Sequence, residues 1–210
     1  MHKRYMATLA GAVTLALTTS CTTVEQGGTG GTITGSATLR LTGESTKITA
    51  SELTMNGGTI VNEGTWSNTL NGSINLDYLT GGGAGTLVNK GTWNFNASAT
   101  YSNTYGGGVV ENLGLMHAVA GNSRIYGAMN HRTGSTFRCS AGWLLFQGGG
   151  LMEPGATLDA NGGDLYFQGG THQLQGGSIT GEHGIGLAVG GGQDAARTQA
   201  RARSAPWGSG

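Results

Sequence analysis

The amino-acid sequence predicts an all-β solenoid of about seven stacked coils, and three observations carry that reading. The first is a repeat. Gly58-Thr-Ile-Val-Asn-Glu-Gly-Thr-Trp66 returns 27 residues later as Gly85-Thr-Leu-Val-Asn-Lys-Gly-Thr-Trp93. Looser copies begin at Gly108, Gly127 and Gly150, after steps of 23, 19 and 23 residues. A unit of that size cannot bury its own apolar face and must stack on its neighbours. The second is alternation within the unit. The third position reads Ile60, Leu87, Val110, Met129 and Met152, always apolar. The fourth reads Val61, Val88, Glu111, Asn130 and Glu153, drifting to polar. Successive strand residues face opposite sides, so the first column points to a core and the second to water. The third is the turn: Asn62, Asn89 and Asn112 each stand two residues before a glycine, at 64, 91 and 114.

The chain falls into four parts. Residues 1–20 read as an export signal: His2, Lys3 and Arg4 precede an apolar run from Met6 to Leu17, which small residues end at Ser20. The run is too short to span a membrane. Residues 21–30 form a Gly/Thr-rich tether that starts at Cys21. Residues 31–190 form one β-helical domain without an internal linker. Residues 191–210 lose the pattern and read as a disordered tail or as the product of a truncated or shifted frame.

Within the domain the alternation continues beyond each turn. Leu39 and Leu41 flank Arg40; Trp93 and Phe95 alternate with Asn94 and Asn96. Phe137 and Cys139 flank Arg138, and Leu158 and Ala160 flank Asp159. The 42 glycines penalise helix throughout. At the turn, Asn tolerates left-handed backbone and Gly supplies positive φ. With coils in register, Asn62, Asn89 and Asn112 stack into a side-chain ladder. His131 and Pro154 occupy that column in the last two copies, and the ladder is expected to stop there.

Charge and cysteine content exclude several functions. Between Gly27 and Gly190 there are six Lys/Arg and nine Asp/Glu, which does not suit nucleic acid. The two cysteines, Cys21 and Cys139, provide no disulfide framework. Cys139 falls in an inward column and reads as a small buried hydrophobe rather than a nucleophile. No phosphate-binding loop with its lysine is present, so no nucleotide or other cofactor is expected. His117, His131, His172 and His183 lack zinc-ligand spacing and read as scattered surface residues. Trp66, Trp93, Tyr101, Tyr105 and Tyr126 are candidates for a sugar-stacking platform, although the two tryptophans, on inward positions, fit the core better.

The Gly-Thr-Ile/Leu-Val-Asn-x-Gly-Thr-Trp copies resemble the right-handed parallel β-helix of bacterial surface and autotransporter passenger proteins. That resemblance implies an exported domain for adhesion or display. The C-terminus departs from it, showing no membrane-barrel domain. Leu17-Thr-Thr-Ser-Cys21 is similar to the lipobox of bacterial lipoproteins, with Thr18 where that family prefers Leu. It implies lipid attachment at Cys21; simple cleavage near Ser20 is the alternative. Gly181-Glu-His-Gly-Ile-Gly-Leu187 resembles the Gly-His-Gly-Ile segment of polygalacturonases, which makes His183 a candidate catalytic histidine. Asp159 and Asp164 are its nearest acidic pair. That family's Asn-Thr-Asp, paired Asp-Asp and Arg-Ile-Lys motifs are missing. Gly82-Gly-Ala-Gly-Thr86 resembles half of a calcium-binding nonapeptide, but Thr86 replaces the aspartate and no metal is expected.

These readings converge on an exported cell-envelope or surface solenoid, roughly 30–35 Å long, with a structural or adhesive role. A carbohydrate-active β-helix is the alternative. The expected partners are cell-surface components or polysaccharide, with no nucleic acid, and with membrane contact only through a lipid at Cys21. The oligomeric state stays open.

Overall fold

The computed structural model describes residues 31–34, 38–47, 53–68, 74–75, 84–96, 102–105, 108–183 and 185–188. The expected export signal and tether, Cys21, Tyr101 and residues 191–210 lie outside them. Every regular element described is a short strand. The chain lays down β1 (Gly31–Thr34) and then repeats one winding of three strands. The first two windings are β2 (Thr38–Leu41), β3 (Glu44–Lys47), β4 (Leu53–Asn56), and β5 (Thr59–Asn62), β6 (Thr65–Asn68), β7 (Ile74–Asn75). Five more complete windings run from Thr86 to Ala188. They are β8 (Thr86–Asn89), β9 (Thr92–Phe95), β10 (Ser102–Tyr105); β11 (Val109–Asn112), β12 (Leu115–Ala118), β13 (Asn122–Ile125); β14 (Ala128–His131), β15 (Thr136–Cys139), β16 (Trp143–Phe146); β17 (Gly150–Met152), β18 (Thr157–Asp159), β19 (Asp164–Gln168); and β20 (His172–Leu174), β21 (Ser178–Thr180), β22 (Ile185–Ala188).

Each strand pairs in parallel with its counterpart one coil away. Three sheets result: sheet I from β1 to β22, sheet II from β2 to β20, and sheet III from β3 to β21, with eight, seven and seven strands. The chain is therefore an all-β parallel solenoid, the architecture that the repeat implies.

The core is the inside of the coil. On sheet II, Ile60, Leu87, Val110 and Met129 are register partners, and the first three are wholly buried. On sheet III, Trp66 and Trp93 stack at 5.1 Å with ring planes 8° apart. Trp93 is fully buried and Trp66 is 4% exposed. That exposure rules out a sugar platform at these two rings. They fill the core, where each large apolar side chain contributes about 1.5–3 kcal/mol through burial. Val61 departs from the alternation, because it faces outward yet is itself buried.

The fifth copy is in a different register from the one its sequence suggests. Gly150, not Met152, pairs with Met129, and Met152 pairs with His131. Gly148 stacks on Gly127, where an added Cβ would lie 2.3 Å from that residue's carbonyl group. The run Gly148-Gly-Gly150 permits either alignment, and the shift of two residues keeps Met152 inward, 5% exposed. Met152 thus belongs to the asparagine column rather than to the Ile60 column, and Pro154 belongs to neither.

The turn glycines also serve a different purpose. Gly64, Gly91 and Gly114 do not adopt positive φ, and no other described residue except certain glycines does. Instead, the amides of Thr65, Thr92 and Leu115 donate at 3.0, 2.8 and 2.9 Å to the carbonyls of Gly43, Gly64 and Gly91 one coil below. This draws the turns so close that a Cβ at Gly64, Gly91 or Gly114 would sit 2.0–2.2 Å from those oxygens.

Candidate functional site

The sequence places a polar side chain at the corner between sheets II and III in four successive coils, at Asn62, Asn89, Asn112 and His131. Asn62, Asn89 and Asn112 are register partners with no exposed surface. Asn62 Nδ2 donates to Asn89 Oδ1 at 2.7 Å, and Asn89 Nδ2 donates to Asn112 Oδ1 at 2.8 Å. The second N–H of each amide donates across the turn of the next coil: Asn62 to Thr92 O at 2.9 Å, Asn89 to Leu115 O at 3.0 Å, Asn112 to Thr136 O at 3.3 Å. Each asparagine therefore ties strand to strand and corner to corner. The ladder starts at Asn62 because the residue below it in the column is Leu41, which leaves Asn62 Oδ1 without a protein partner.

His131 takes the next place in the column. It is 3% exposed, so it is not one of a set of surface histidines. Its turn to β15 runs through Arg132, Thr133, Gly134 and Ser135 instead of two residues. Ser135 Oγ lies 2.6 Å from His131 Nδ1 and donates its single proton to Arg132 O, also at 2.6 Å. Nδ1 is consequently the N–H donor to Ser135 Oγ. Asn112 Nδ2 is a long 3.4 Å away. This tautomer leaves Nε2 as a lone pair facing inward, and it has no protein partner. Burial pulls the His131 pKa down to about 3, so the ring is neutral at ordinary pH.

One coil further, Gly150 contributes no side chain to the Ile60–Met129 column, its backbone packing directly on that of Met129, and a cavity of about 20 Å³ lies among the side chains around this layer. Met129, His131, Met152 and His172 line it together with Phe137, Phe146, Phe167 and leucines. Of these, His172 pairs in register with Gly150, and its Nε2 is buried without a partner, like that of His131. Burial lowers the His172 pKa, while hydrogen bonding to the Gly169 and Gln168 backbone opposes that shift. The two imidazoles end an unbroken run of rings: His131 to Phe137 at 3.9 Å, Phe137 to Phe146 at 4.7 Å, Phe146 to Phe167 at 5.0 Å, and Phe167 to His172 at 5.2 Å.

The residues considered for glycoside cleavage meet at another place, the corner between sheets III and I. Asp159 ends β18 and Asp164 starts β19, on either side of that corner. His183 stands on the same corner one coil on, its amide donating to Ala160 O at 3.1 Å. The carboxylates are already engaged. Asp159 accepts from Arg138 Nε at 2.8 Å, and Asp164 accepts from the Tyr166 hydroxyl at 3.0 Å. They start from different sheets, whose outward directions diverge at a corner.

Other candidates occupy structural positions. Cys139 is buried, and desolvation pushes its thiol up to about 12, the opposite of an activated nucleophile. His117 Nε2 lies 2.8 Å from Ser140 Oγ, and burial lowers its pKa. Tyr126 accepts from Arg124 Nη1 at 3.1 Å. Gly82 and Gly83 of the calcium-like segment lie outside the described residues. Among the described residues no three or more His, Cys, Asp or Glu gather as a metal cluster, and no helix is long and apolar enough to cross a membrane.

The repeat pattern alone does not bring His131 and His172 together. A usable signal was there: His131 stands in the asparagine column, so it is as buried as the residues it replaces. The fold defines the chain as a parallel β-solenoid repeat protein. Set against protein-family models, curated proteins and solved structures, it matches none of them.

Proposed function

We propose that the chain is an exported solenoid of the cell envelope or surface, with a structural or adhesive role and no catalysis. One observation carries this reading: the buried interior is committed to holding coils together, through the Asn62–Asn89–Asn112 ladder, while the acidic residues considered for catalysis are committed to Arg138 and Tyr166. Outward charges are likewise spent along the stack, with Arg132 bridging Glu111 and Glu153 at 2.7 Å each. The export part of the proposal rests on the residues 1–21 sequence alone, with lipid attachment at Cys21 as its finer form. The test is fractionation and whole-cell protease treatment of a bacterial host that expresses the full chain. Protein in the envelope or medium with its leader removed supports the proposal, and leader-bearing protein in the cytoplasm overturns it. Labelled palmitate on wild type but not on Cys21→Ser assigns the lipid.

A carbohydrate-active role is the second reading, favoured by the placement of Asp159, Asp164 and His183 around one corner in successive coils. Reducing ends released from polygalacturonate by the purified chain, and lost in His183→Ala, select this reading over the first.

A further inference from the structure

We propose that the cavity between His131 and His172 is a site for one soft monovalent metal ion, Cu(I) or Ag(I), held by the imidazoles of His131 and His172 with the thioethers of Met129 and Met152. The four side chains line the cavity from three adjacent strands. Met129 and His131 come from β14, Met152 from β17 and His172 from β20. In the register, Met129 and His172 are the two neighbours of Gly150 along its column. Met152 is the next inward residue on its own strand, and His131 is the register partner of Met152.

The donor chemistry selects the ion. Apart from these four, the lining is apolar, Phe137, Phe146, Phe167, Leu151, Leu158 and Leu174, with no carboxylate, hydroxyl or amide side chain. Calcium and magnesium require oxygen ligands and have none here. Thioether sulfur selects soft ions, and imidazole accompanies it well. A monovalent ion with neutral ligands also carries the least charge into an apolar interior.

Two further observations point to a ligand. Both Nε2 atoms are buried without a partner, whereas buried polar atoms in proteins are nearly always paired. The outer nitrogen of His131 is fixed by Ser135, which donates onward to Arg132 O, so the tautomer that exposes the Nε2 lone pair to the cavity is already set. Metal-binding histidines are oriented in the same way through their second nitrogen. The volume, about 20 Å³, is enough for one water-sized guest.

The test uses the full chain in a Cys21→Ser/Cys139→Ala background, which removes both thiols of the sequence. Ag(I), or Cu(I) under anaerobic reducing conditions, is titrated against a chromogenic chelator, and stoichiometry is read by native mass spectrometry. One equivalent is expected, with the imidazole nitrogen resonances of His131 and His172 shifting together. His131→Asn continues the ladder chemistry and keeps the fold, which circular dichroism verifies, but it abolishes binding. Met152→Leu keeps the apolar volume and weakens binding. Ser135→Ala weakens it by about 10–100-fold. Overturning results are no bound ion, an equal affinity in folded His131→Asn, or resonance shifts confined to other residues. A single ordered water found in the cavity of protein incubated with excess Ag(I) overturns it as well.

Discussion

Asn62 and Asn89 are 27 residues apart in sequence and joined by a 2.7 Å amide-to-amide hydrogen bond with no solvent at either end. The bond is one rung of a directional series: each Nδ2 donates toward the C-terminal coil, and Oδ1 of Asn89 and of Asn112 accepts from the N-terminal side. An interior asparagine is therefore worth more than the first one.

Asn89→Ala removes three bonds and leaves Asn62 without its acceptor and Asn112 Oδ1 without its donor. With about 1–3 kcal/mol for each buried group left unpaired, the variant should lose roughly 2–5 kcal/mol. Asn62→Ala removes two bonds and an oxygen that has no partner already, so it should lose less. Urea midpoints of the two variants check the order. Equal losses would remove the ladder as the cause.

Gly91→Ala and Gly134→Ala separate two reasons for a turn glycine. At Gly91 a Cβ would stand 2.0 Å from Gly64 O, with ordinary φ; at Gly134 it would meet nothing, with φ +80. The first change must force two coils apart and is expected to prevent folding of that pair. The second costs only the left-handed conformation, about 1–2 kcal/mol. Thermal unfolding followed by circular dichroism distinguishes them.

Met129→Asp places an unpaired carboxylate in the core, and several kcal/mol of destabilisation are expected. Asn130→Asp is outward and milder. It loses the 2.7 Å bond from Asn130 Nδ2 to Glu111 Oε1 and sets two carboxylates side by side, for about 1 kcal/mol. Similar tolerance at the two positions would contradict the register.

Stability should fall as pH drops from about 6.5 toward 3, partly through His131. Its folded pKa, about 3, lies below the unfolded value of 6.5, so between them the unfolded chain binds the extra proton. The contribution is fully present above pH 6.5 and shrinks on acidification, by at most about 4–5 kcal/mol. Glu153, whose pKa is lowered by the Thr133 amide and Arg132, changes in the same direction. The comparison that isolates His131 is wild type against His131→Asn. The variant should show a flatter fall in urea midpoint between pH 7 and 4.

The repeat made the coil legible because two local rules coincide in it. Alternation fixed which of Ile60 and Val61 enters the strand's inner face, and the Asn-x-Gly turn fixed where each strand ends. The rules failed where glycine removes the information. At Gly148-Gly-Gly150 three residues without side chains fit either register, so counting along the repeat places Met152 one column away from its position in the fold. The reason for Gly91 was equally hidden, because close approach between coils is a relation across 27 residues and not a property of the turn. The cavity was invisible for the same cause. It is lined by Met152 in one coil, His131 in the coil before it and His172 in the coil after.

The backbone bonds between coils and the Asn62–Asn89–Asn112 rungs all lie along the axis of the stack. A pull on the two ends of the domain would load only one inter-coil layer at a time, like opening a zipper. The layers joined by asparagine would then be the stiff part of the molecule, and the layers on the C-terminal side of His131, which have no asparagine rung, would yield first. Under tension the chain would lengthen stepwise from that end, paying out coils while the tryptophan-stacked half stayed wound.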